Sequence, residues 1–253
     1  MPAVSTFTLV AKAGGSSEAS ENTLSAIEAA LSVRLPAGVR LAIEIDVRLS
    51  SDGVPVVIHD ARLERTTNGR GLVREHCLQR LRRLDAGPGA ARIPVLEEVF
   101  GLAREHTIIV EVHERGPEVA EQVLASLRRL DARALGRTIV ASEHGSVVHR
   151  LRAVEPRLAT AATKAEAYRK LLLSRLNVER FSPRGHTFMV PVRHAGVEVT
   201  TSRFVSSVRR LGDEVWAFVV DDAREVSRLR ALGVTGCFTT RPAALARGIE
   251  LAA

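Results

Sequence analysis

The sequence predicts an α/β fold, specifically a (β/α)₈ barrel, from three features of its hydrophobic pattern. Short apolar segments rich in β-branched residues alternate with longer segments of helical periodicity, which is typical of a parallel sheet covered by helices. The strand-like segments are almost continuously hydrophobic, as expected for strands buried on both faces. About eight such units in 253 residues match a barrel, with a doubly wound open sheet as the alternative.

The predicted elements follow one another along the whole chain. The strand-like segments are residues 7–12, 41–47, 54–59, 107–113, 138–142, 157–162, 187–192, 215–220 and 235–239. Helical patterns lie between them at residues 21–33, 94–105, 117–130, 145–154, 165–177, 202–211 and 222–232. Because no proline-rich or glycine-rich linker divides the chain, we expect residues 1–253 to form one domain.

The segment from about residue 48 to residue 93 departs from this alternation. Asp52-Gly53 and Asn68-Gly69 are turn signals, because both dipeptides tolerate positive φ. We therefore expect a small insertion between an early strand and its following helix. It would lie on the loop side of the barrel, where such barrels keep their chemistry.

Composition excludes several classes of protein. No apolar run approaches the roughly 20 residues that span a bilayer, so no stable membrane insertion is expected. Aromatic residues make up 4% of the chain, too few for the stacking platforms of a nucleic-acid module. The net charge of +7 fits either an anionic small-molecule partner or an arginine-rich surface without a partner.

The two cysteines, Cys77 and Cys237, form neither a disulfide framework nor a metal-binding motif. No signal peptide is recognisable at the N-terminus. We therefore expect two reduced thiols and a cytoplasmic location. The oligomeric state stays open.

Two strand-like segments carry carboxylates at their ends. In LAIEIDV, Glu44 and Asp46 are two residues apart, so both point to one face of the strand while Ile43 and Ile45 point to the other. In IIVEVHERG, Glu111 shares a face with His113 in the same way. Buried carboxylates this close together need a neutralising cation.

The three acids, Glu44, Asp46 and Glu111, are a plausible site for a hard cation, because oxygen ligands suit Mg²⁺ or Ca²⁺. Pairing of these carboxylates with arginines at the barrel rim is the alternative. His59 ends the segment VPVVIHD, where it could act as a general acid or base, since imidazole titrates near neutral pH. A histidine that is only hydrogen-bonded within the fold is the alternative there.

The residues around these acids resemble the signature of the glycerophosphodiester phosphodiesterase family. The resemblance is carried by the run AIEIDVRLSSDGVPVVIHDARLERTTNGRGLV at residues 42–73. Five further segments follow the family order, namely ENTLSAIEAA, LQRLRRLDAG, IPVLEEVF, VWAFVVDD and LGVTGCFTTRP. VEVH lies where the family has its Glu-x-Lys strand. The resemblance therefore covers essentially the whole chain.

This resemblance implies a TIM barrel that cleaves a small-molecule phosphodiester. It implies a divalent cation, Mg²⁺ or Ca²⁺ with Mn²⁺ also possible, held by Glu44, Asp46 and Glu111. In the family, the metal and cationic side chains neutralise the phosphoryl oxygens, and two histidines move the protons. His59 matches the second of those histidines.

The chain departs from the family where the catalytic groups are expected. The first strand of the family ends in His-Arg-Gly, but here it reads Lys12-Ala13-Gly14. In the Glu-x-Lys motif the lysine is replaced by His113. The two departures together have the form of an exchange between a histidine and a lysine.

We therefore predict a rearranged catalytic site. Lys12 would bind the phosphate or stabilise developing charge, and His113 would supply the missing proton-transfer group. Three lysines occur among the 36 Lys and Arg residues, so a positive charge alone did not require a lysine at position 12. In the alternative, Lys12 pairs with Glu44 or Asp46, or even replaces the metal.

Two other classes of function stay open. The barrel could have been recruited to another metal-assisted reaction, such as phosphate-ester elimination, cyclisation or a lyase step. It could also bind a phosphate ligand without catalysis.

Trp216 could line the mouth of the barrel and contact substrate, or it could be a core residue. The family's Trp-Thr-Val-Asn motif is here Trp216-Ala217-Phe218-Val219, which predicts a less polar pocket and an apolar alcohol portion of the substrate.

Overall fold

Eight parallel strands and their helices form a TIM barrel in the computed structural model, which describes residues 6–130, 133–176 and 187–251. The strands of the chain are β1 (Phe7–Ala11), β2 (Val39–Leu49), β3 (Pro55–Val57), β4 (Thr107–Val112), β5 (Thr138–Ser142), β6 (Ala159–Thr160), β7 (Thr187–Pro191), β8 (Arg193–His194), β9 (Val197–Glu198), β10 (Glu214–Phe218) and β11 (Gly236–Thr239). The helices are α1 (Leu24–Leu31), α2 (Leu78–Leu81), α3 (Leu96–Leu102), α4 (Pro117–Arg129), α5 (Gly145–Val154), α6 (Lys164–Arg175), α7 (Ser202–Arg209), α8 (Ala223–Ala231) and α9 (Pro242–Leu251).

The order of strands around the barrel is β6, β5, β4, β2, β1, β11, β10, β7. The two ends of this sheet meet where Ala161 forms a parallel bridge with Thr187. The N–H of Ala162 also donates to the Thr187 carbonyl at 2.9 Å. The barrel predicted from the alternation of strands and helices is thereby confirmed, and the open sheet is not formed.

The predicted strand at residues 54–59 is not a barrel strand. It forms β3, which pairs antiparallel with the end of β2, Val47 opposite Val57. The cause is the tight turn at Asp52-Gly53, where Gly53 has φ of 75° and donates to the Ser50 carbonyl at 3.0 Å. A turn this short reverses the chain into a hairpin and cannot provide a parallel crossover.

Other element bounds differ in detail from the predicted ones. The segment predicted at 157–162 contributes the two residues of β6, and β1 ends one residue before Lys12. The short hairpin β8–β9 was not predicted, because its strands are mostly polar and only two residues long. Its turn, Ala195-Gly196, has positive φ at both residues. Residue 177, the end of a predicted helix, lies outside the described residues.

The insertion after β2 carries a small apolar cluster of its own. Its members are Val56, Ile58, Leu63, Val73, Leu81, Ala86 and Ile93. Because this cluster packs the insertion from within, the segment forms a defined wall beside the barrel mouth.

The barrel strands bury side chains on both faces. Alternate residues point into the barrel, where Val10, Ala42, Ile109, Trp216 and Phe238 form one cluster. The residues between them point outward; Ile43 and Ile45 pack in the layer below the helices. Glu44 and Asp46 continue the inward series from Ala42, so the predicted alternation in β2 is confirmed.

Several helices begin at the capping residues that their sequences provide. Thr23, Thr163 and Thr201 each accept a hydrogen bond from a backbone N–H three residues later, before α1, α6 and α7. Among the described residues, no helix combines the length and apolar character needed to cross a membrane.

Ile43→Ala tests the outer layer of the barrel. Ile43 is fully buried, so its loss leaves a cavity and lowers the free energy of unfolding by about 2–5 kcal/mol. Urea denaturation measures this. Leu211→Ala, at a side chain that is 41% exposed, is the control and changes stability by less than about 0.5 kcal/mol. Equal losses in the two variants would contradict the assignment of Ile43 to the core.

Candidate active site

Three carboxylates meet at the carboxyl ends of β2 and β4. Asp46 lies directly opposite Glu111 in the parallel ladder. Glu44 is two residues before Asp46 on β2, so it is the next inward-facing side chain toward the start of that strand. One carboxylate oxygen from each of Glu44, Asp46 and Glu111 lies within 4.8 Å of the others. The structure therefore brings together the three acids that the sequence analysis singled out.

Glu44 is fully buried, with a residue exposure of 1%. Its Oε2 accepts the backbone N–H of Ala13 at 2.6 Å. Its Oε1 is buried and meets no hydrogen-bond donor within the described part of the chain. Burial, with the neighbouring charge of Asp46, raises the pKa of Glu44 well above its ordinary value.

Asp46 is buried too, but hydrogen bonds surround its carboxylate. Asn22 Nδ2 donates to Oδ2 at 2.7 Å, and Asn22 Oδ1 accepts the Asp46 N–H at 3.0 Å. His113 Nε2 lies 2.7 Å from Oδ1. Burial opposes ionisation, but the hydrogen bonds from His113 and Asn22 outweigh it and lower the pKa of Asp46. Asp46 is thus the anion of the cluster that the protein itself stabilises.

Lys12 enters the cluster from the first turn after β1. That turn is built on positive φ at three successive residues, Ala13, Gly14 and Gly15. Burial disfavours the ammonium, but the charges of Glu44, Asp46 and Glu111 outweigh this effect and raise the pKa of Lys12. Within the described residues, no hydrogen bond or ion pair holds its Nζ. The ammonium is therefore charged and has donors to offer a ligand.

The two predicted histidines are in contact. The ring centroids of His59 and His113 lie 4.8 Å apart in an edge-to-face arrangement. Burial would lower the pKa of His113, but its hydrogen bond to Asp46 and the charge of Glu111 outweigh burial and raise that pKa. The side chain of His59 is 44% exposed, so this ring is the one open to the mouth.

A chain of ion pairs supports His59 from behind. Its Nδ1 lies 2.7 Å from Asp60 Oδ1. Arg65 donates to both oxygens of Asp60, and also to both oxygens of Glu21 at 2.8 and 2.6 Å. The Arg65 guanidinium lowers the pKa of Asp60 below its usual range. With Nδ1 held by a fixed carboxylate, the Nε2 of His59 is left as the reactive nitrogen.

Arg48 links the backbone of the two histidines. Its Nε donates to the His59 carbonyl at 2.7 Å, and its Nη1 lies 3.4 Å from the His113 carbonyl. The same Nη1 pairs with Glu114 at 3.2 Å. A single planar guanidinium therefore sets the spacing between the residue after β4 and the second residue after β3.

Sequence reasoning missed four supporting residues, namely Asn22, Arg48, Asp60 and Arg65. Asp60 and Arg65 stand inside the motif that carried the family resemblance, and Asn22 stands in the helix-start motif. Asn22 adopts φ of 58°, a conformation that Asn tolerates better than most residues, and this is the available sequence signal. Arg48 also stands inside the motif that carried the family resemblance, but no local pattern predicts its contacts, because they join β2 to residues after two other strands.

Trp216 lies inside the barrel with 1% exposure. Its indole N–H donates to Glu214 at the start of β10, 2.7 Å away, so the indole edge faces away from the mouth. This position agrees with the core role that was the alternative, and contact with substrate stays a prediction. Phe218, the last residue of β10, and Val219, which follows it, are the ones that reach the mouth, with 37% and 43% exposure.

The donor set fits a divalent cation. When all three are ionised, the carboxylates carry two more negative charges than Lys12 balances, and the orphaned Glu44 Oε1 is the kind of oxygen that a hard cation would coordinate. Asp46, His59 and His113 form a second group within 4.8 Å, with two ring nitrogens. All-oxygen ligation suits Mg²⁺ or Ca²⁺, whereas the second group suits a softer ion.

Glu44→Gln in metal-free protein tests the desolvation of this carboxylate. The folded-state pKa of Glu44 lies above its unfolded value. As pH rises past the unfolded value, the unfolded chain releases this proton first, and stability falls. Glutamine removes this effect, so the stability of the variant relative to wild type should increase from pH 4 to pH 8.

Denaturation with EDTA present, at several pH values, measures that difference. Glu28→Gln makes the same chemical change at an exposed position of α1 and serves as the control. A difference between Glu44→Gln and wild type that stays constant over this range would show that Glu44 titrates normally.

Comparison with known proteins points to one family. The model of the glycerophosphoryl diester phosphodiesterase family matches residues 13–244. YhdW of Bacillus subtilis (strain 168) is 32% identical over 244 residues, which cover 92% of this chain and 94% of that protein.

Solved structures agree with this result. The glycerophosphodiester phosphodiesterase from Agrobacterium tumefaciens str. C58 superposes with a TM-score of 0.74 at 26% identity, covering 95% of this chain and 99% of that one. A phosphodiesterase of Oleispira antarctica, solved with its product sn-glycerol-3-phosphate, has the same fold with a TM-score of 0.74 at 24% identity, covering 96% of both chains. The family match spans nearly the whole barrel, including all three carboxylates and both histidines, and this chain belongs to the glycerophosphoryl diester phosphodiesterase family.

Proposed function

We propose that this protein hydrolyses a glycerophosphodiester or a related small-molecule phosphodiester, with a divalent cation and a rearranged set of catalytic side chains. One observation carries the proposal: three clustered carboxylates, two of them buried, lie beside a charged lysine and two histidines in mutual contact at the barrel mouth. The family membership and the product complex of the Oleispira relative support the substrate class.

Glu44, Asp46 and Glu111 are the residues proposed to hold the cation. When bound, the cation would supply positive charge to the phosphoryl oxygens and thereby favour the transition state. Glu44 gains most from this arrangement, because its unpartnered Oε1 would gain a ligand. Asp46 would keep its bonds to Asn22 and His113, since each carboxylate oxygen accepts more than one contact.

Lys12 is proposed to bind a phosphoryl oxygen. Its ammonium is kept charged by the carboxylates below it, and no side chain of the described residues occupies its donors. A compact cation of this kind stabilises negative charge that develops on the phosphoryl group during P–O cleavage. Lys12 would thus act as the phosphate-binding cation in a first-strand turn that has no arginine.

His59 and His113 are proposed to transfer the two protons of hydrolysis. Water loses a proton as it attacks phosphorus, and the departing alcohol oxygen gains one as the P–O bond breaks. His59 Nε2 is open to the mouth and suits the first role. His113 has a raised pKa, which favours the protonated ring and suits the second role.

The proposal also includes the expected surroundings of the reaction. The substrate is a small molecule rather than nucleic acid, and the compartment is the reducing cytoplasm. Both Cys77 and Cys237 are free thiols in the structure, which agrees with that compartment.

Cation-dependent turnover is the first test. Purified protein with Mg²⁺, Ca²⁺ or Mn²⁺ should release a phosphomonoester from glycerophosphodiesters or aryl phosphodiesters, and EDTA should stop the reaction. Glu44→Gln should lower kcat/KM at least ~100-fold, because it removes a charged ligand. Glu28→Gln, at an exposed position away from the mouth, should leave kcat/KM unchanged.

Two results would contradict the proposal. No turnover of any phosphodiester, combined with tight binding of a phosphate ligand, would identify a binding barrel. Conversion of the substrate into a cyclic or eliminated product, without uptake of water, would identify a recruited enzyme. Product analysis by phosphorus NMR distinguishes these outcomes from hydrolysis.

The exchange of lysine and histidine has its own test. Lys12→His and His113→Lys should each lower kcat by about 100-fold or more, because each places the wrong group at its position. The kcat of the double variant Lys12→His/His113→Lys should be at least ~10-fold higher than that of the less active single variant. Steady-state kinetics on the four proteins measure this coupling, with circular dichroism to show that all four are folded.

Independent losses would contradict an exchange. The fold loss in kcat of the double variant could equal the product of the fold losses of the two single variants. In that case Lys12 and His113 would not act as one rearranged pair. An unchanged kcat in His113→Ala would remove the proton-transfer role from that ring.

A further inference from the structure

The wall of the barrel mouth across from the carboxylates is apolar. β10 lies four strands from β4 in the barrel order, which places the two on opposite sides of the mouth. Phe218, the last residue of β10, and Val219 beside it are 37% and 43% exposed. Two consecutive exposed hydrophobic side chains at the carboxyl end of a barrel strand lie where TIM barrels bind their ligands.

Phe218 faces the mouth rather than the outer helices. It is two residues beyond Trp216, which belongs to the interior cluster, whereas Ala217 between them packs in the outer layer. The Phe218 ring contacts the ring of Phe238 edge-on, with centroids 6.0 Å apart. Phe238 is 5% exposed and forms the floor under this contact. Phe218, Val219 and Phe238 are named the apolar rim here.

The apolar rim adjoins the phosphate-binding cation proposed above. Phe238 on β11 pairs with Val10 on the neighbouring strand β1, and Lys12 follows Val10 by two residues. A phosphoryl group on Lys12 would therefore have the carboxylates on one side and the apolar rim on the other. The organic part of the ester would lie on the side of the phosphoryl group that faces the apolar rim.

The chemistry of the rim decides which organic group it accepts. Phenylalanine and valine side chains offer no hydrogen bonds, so the hydroxyls of a polar alcohol would lose water there without replacement. An aromatic or alkyl group would instead cover the exposed surfaces of Phe218 and Val219 and gain from leaving water. An aromatic group could also pack against the Phe218 ring.

We propose that the apolar rim of Phe218, Val219 and Phe238 binds an aromatic or alkyl ester group and selects phosphate esters that carry one. The inference rests on the proposed function, since it names the organic part of the same substrate.

Ligand binding tests the rim without requiring turnover. Isothermal titration calorimetry of the full chain with Mg²⁺ would compare phenyl phosphate with sn-glycerol 3-phosphate. Phenyl phosphate should bind about tenfold more tightly to wild type, which corresponds to ~1.4 kcal/mol. Phe218→Thr should remove most of this preference and leave the affinity for sn-glycerol 3-phosphate within about twofold.

Leu211→Thr is the matched control. The exposed fraction of Leu211, 41%, is similar to that of Phe218, 37%. Leu211 precedes β10, however, and so lies at the opposite end of the barrel. It should keep the preference for phenyl phosphate. Equal binding of the two phosphates, tighter binding of sn-glycerol 3-phosphate, failure of both to bind, or an unchanged ratio in Phe218→Thr would each overturn the inference.

Turnover separates this inference from the proposed function. Hydrolysis of phosphodiesters without any preference for phenyl phosphate would overturn the role of the rim and leave the proposed function standing. A preference for phenyl phosphate that Phe218→Thr removes, in a protein that hydrolyses no phosphodiester, would support the rim and overturn the proposed function.

Discussion

The clustering of three carboxylates at one end of the barrel, two of them buried, is the constraint on which the site depends. Glu44, Asp46 and Glu111 project inward from β2 and β4; Glu44 and Asp46 are 1% exposed, and Glu111 is partly buried. Each contact around them lowers the free-energy cost of holding these negative charges close together. Ala13 donates a backbone N–H to Glu44, Asn22 and His113 donate to Asp46, and Lys12 contributes its charge. One oxygen of Glu44 is left without a donor among the described residues, and this oxygen is the main support for the proposed cation.

The same constraint explains why an exchange of side chains is chemically reasonable. The cluster needs positive charge near Glu44 and a hydrogen-bond donor near Asp46. A lysine at position 12 satisfies the first requirement, and a histidine at position 113 satisfies the second. The pKa of each of these side chains is raised by the acids, so both favour their charged forms. The turn after β1 helps, because Ala13 at φ of 49° turns its N–H toward Glu44 at a conformational cost of about 1 kcal/mol.

Much of the fold and part of the site could be predicted from local patterns. Strand and helix alternation specified the barrel, and the two-residue period of β2 specified that Glu44 and Asp46 point inward while Ile43 and Ile45 point outward. The strand at residues 54–59 was expected within the insertion, but its antiparallel pairing with β2 was not, because an apolar segment of six residues looks the same in a hairpin as in a barrel. The turn at Asp52-Gly53 was recognised, but its effect on the direction of the next strand depends on where β2 ends.

By itself, the sequence determined the fold class, the family, and the presence of carboxylates, histidines and an unusual lysine at strand ends. These properties follow from periodicity and from residues close together in the chain. Only the tertiary structure decided which groups touch. It decided that His59 meets His113, that Arg48 joins their carbonyls, and that Phe218 rather than Trp216 reaches the mouth. Such contacts depend on how far each strand extends and how the loops close over it, and neither is encoded in local spacing.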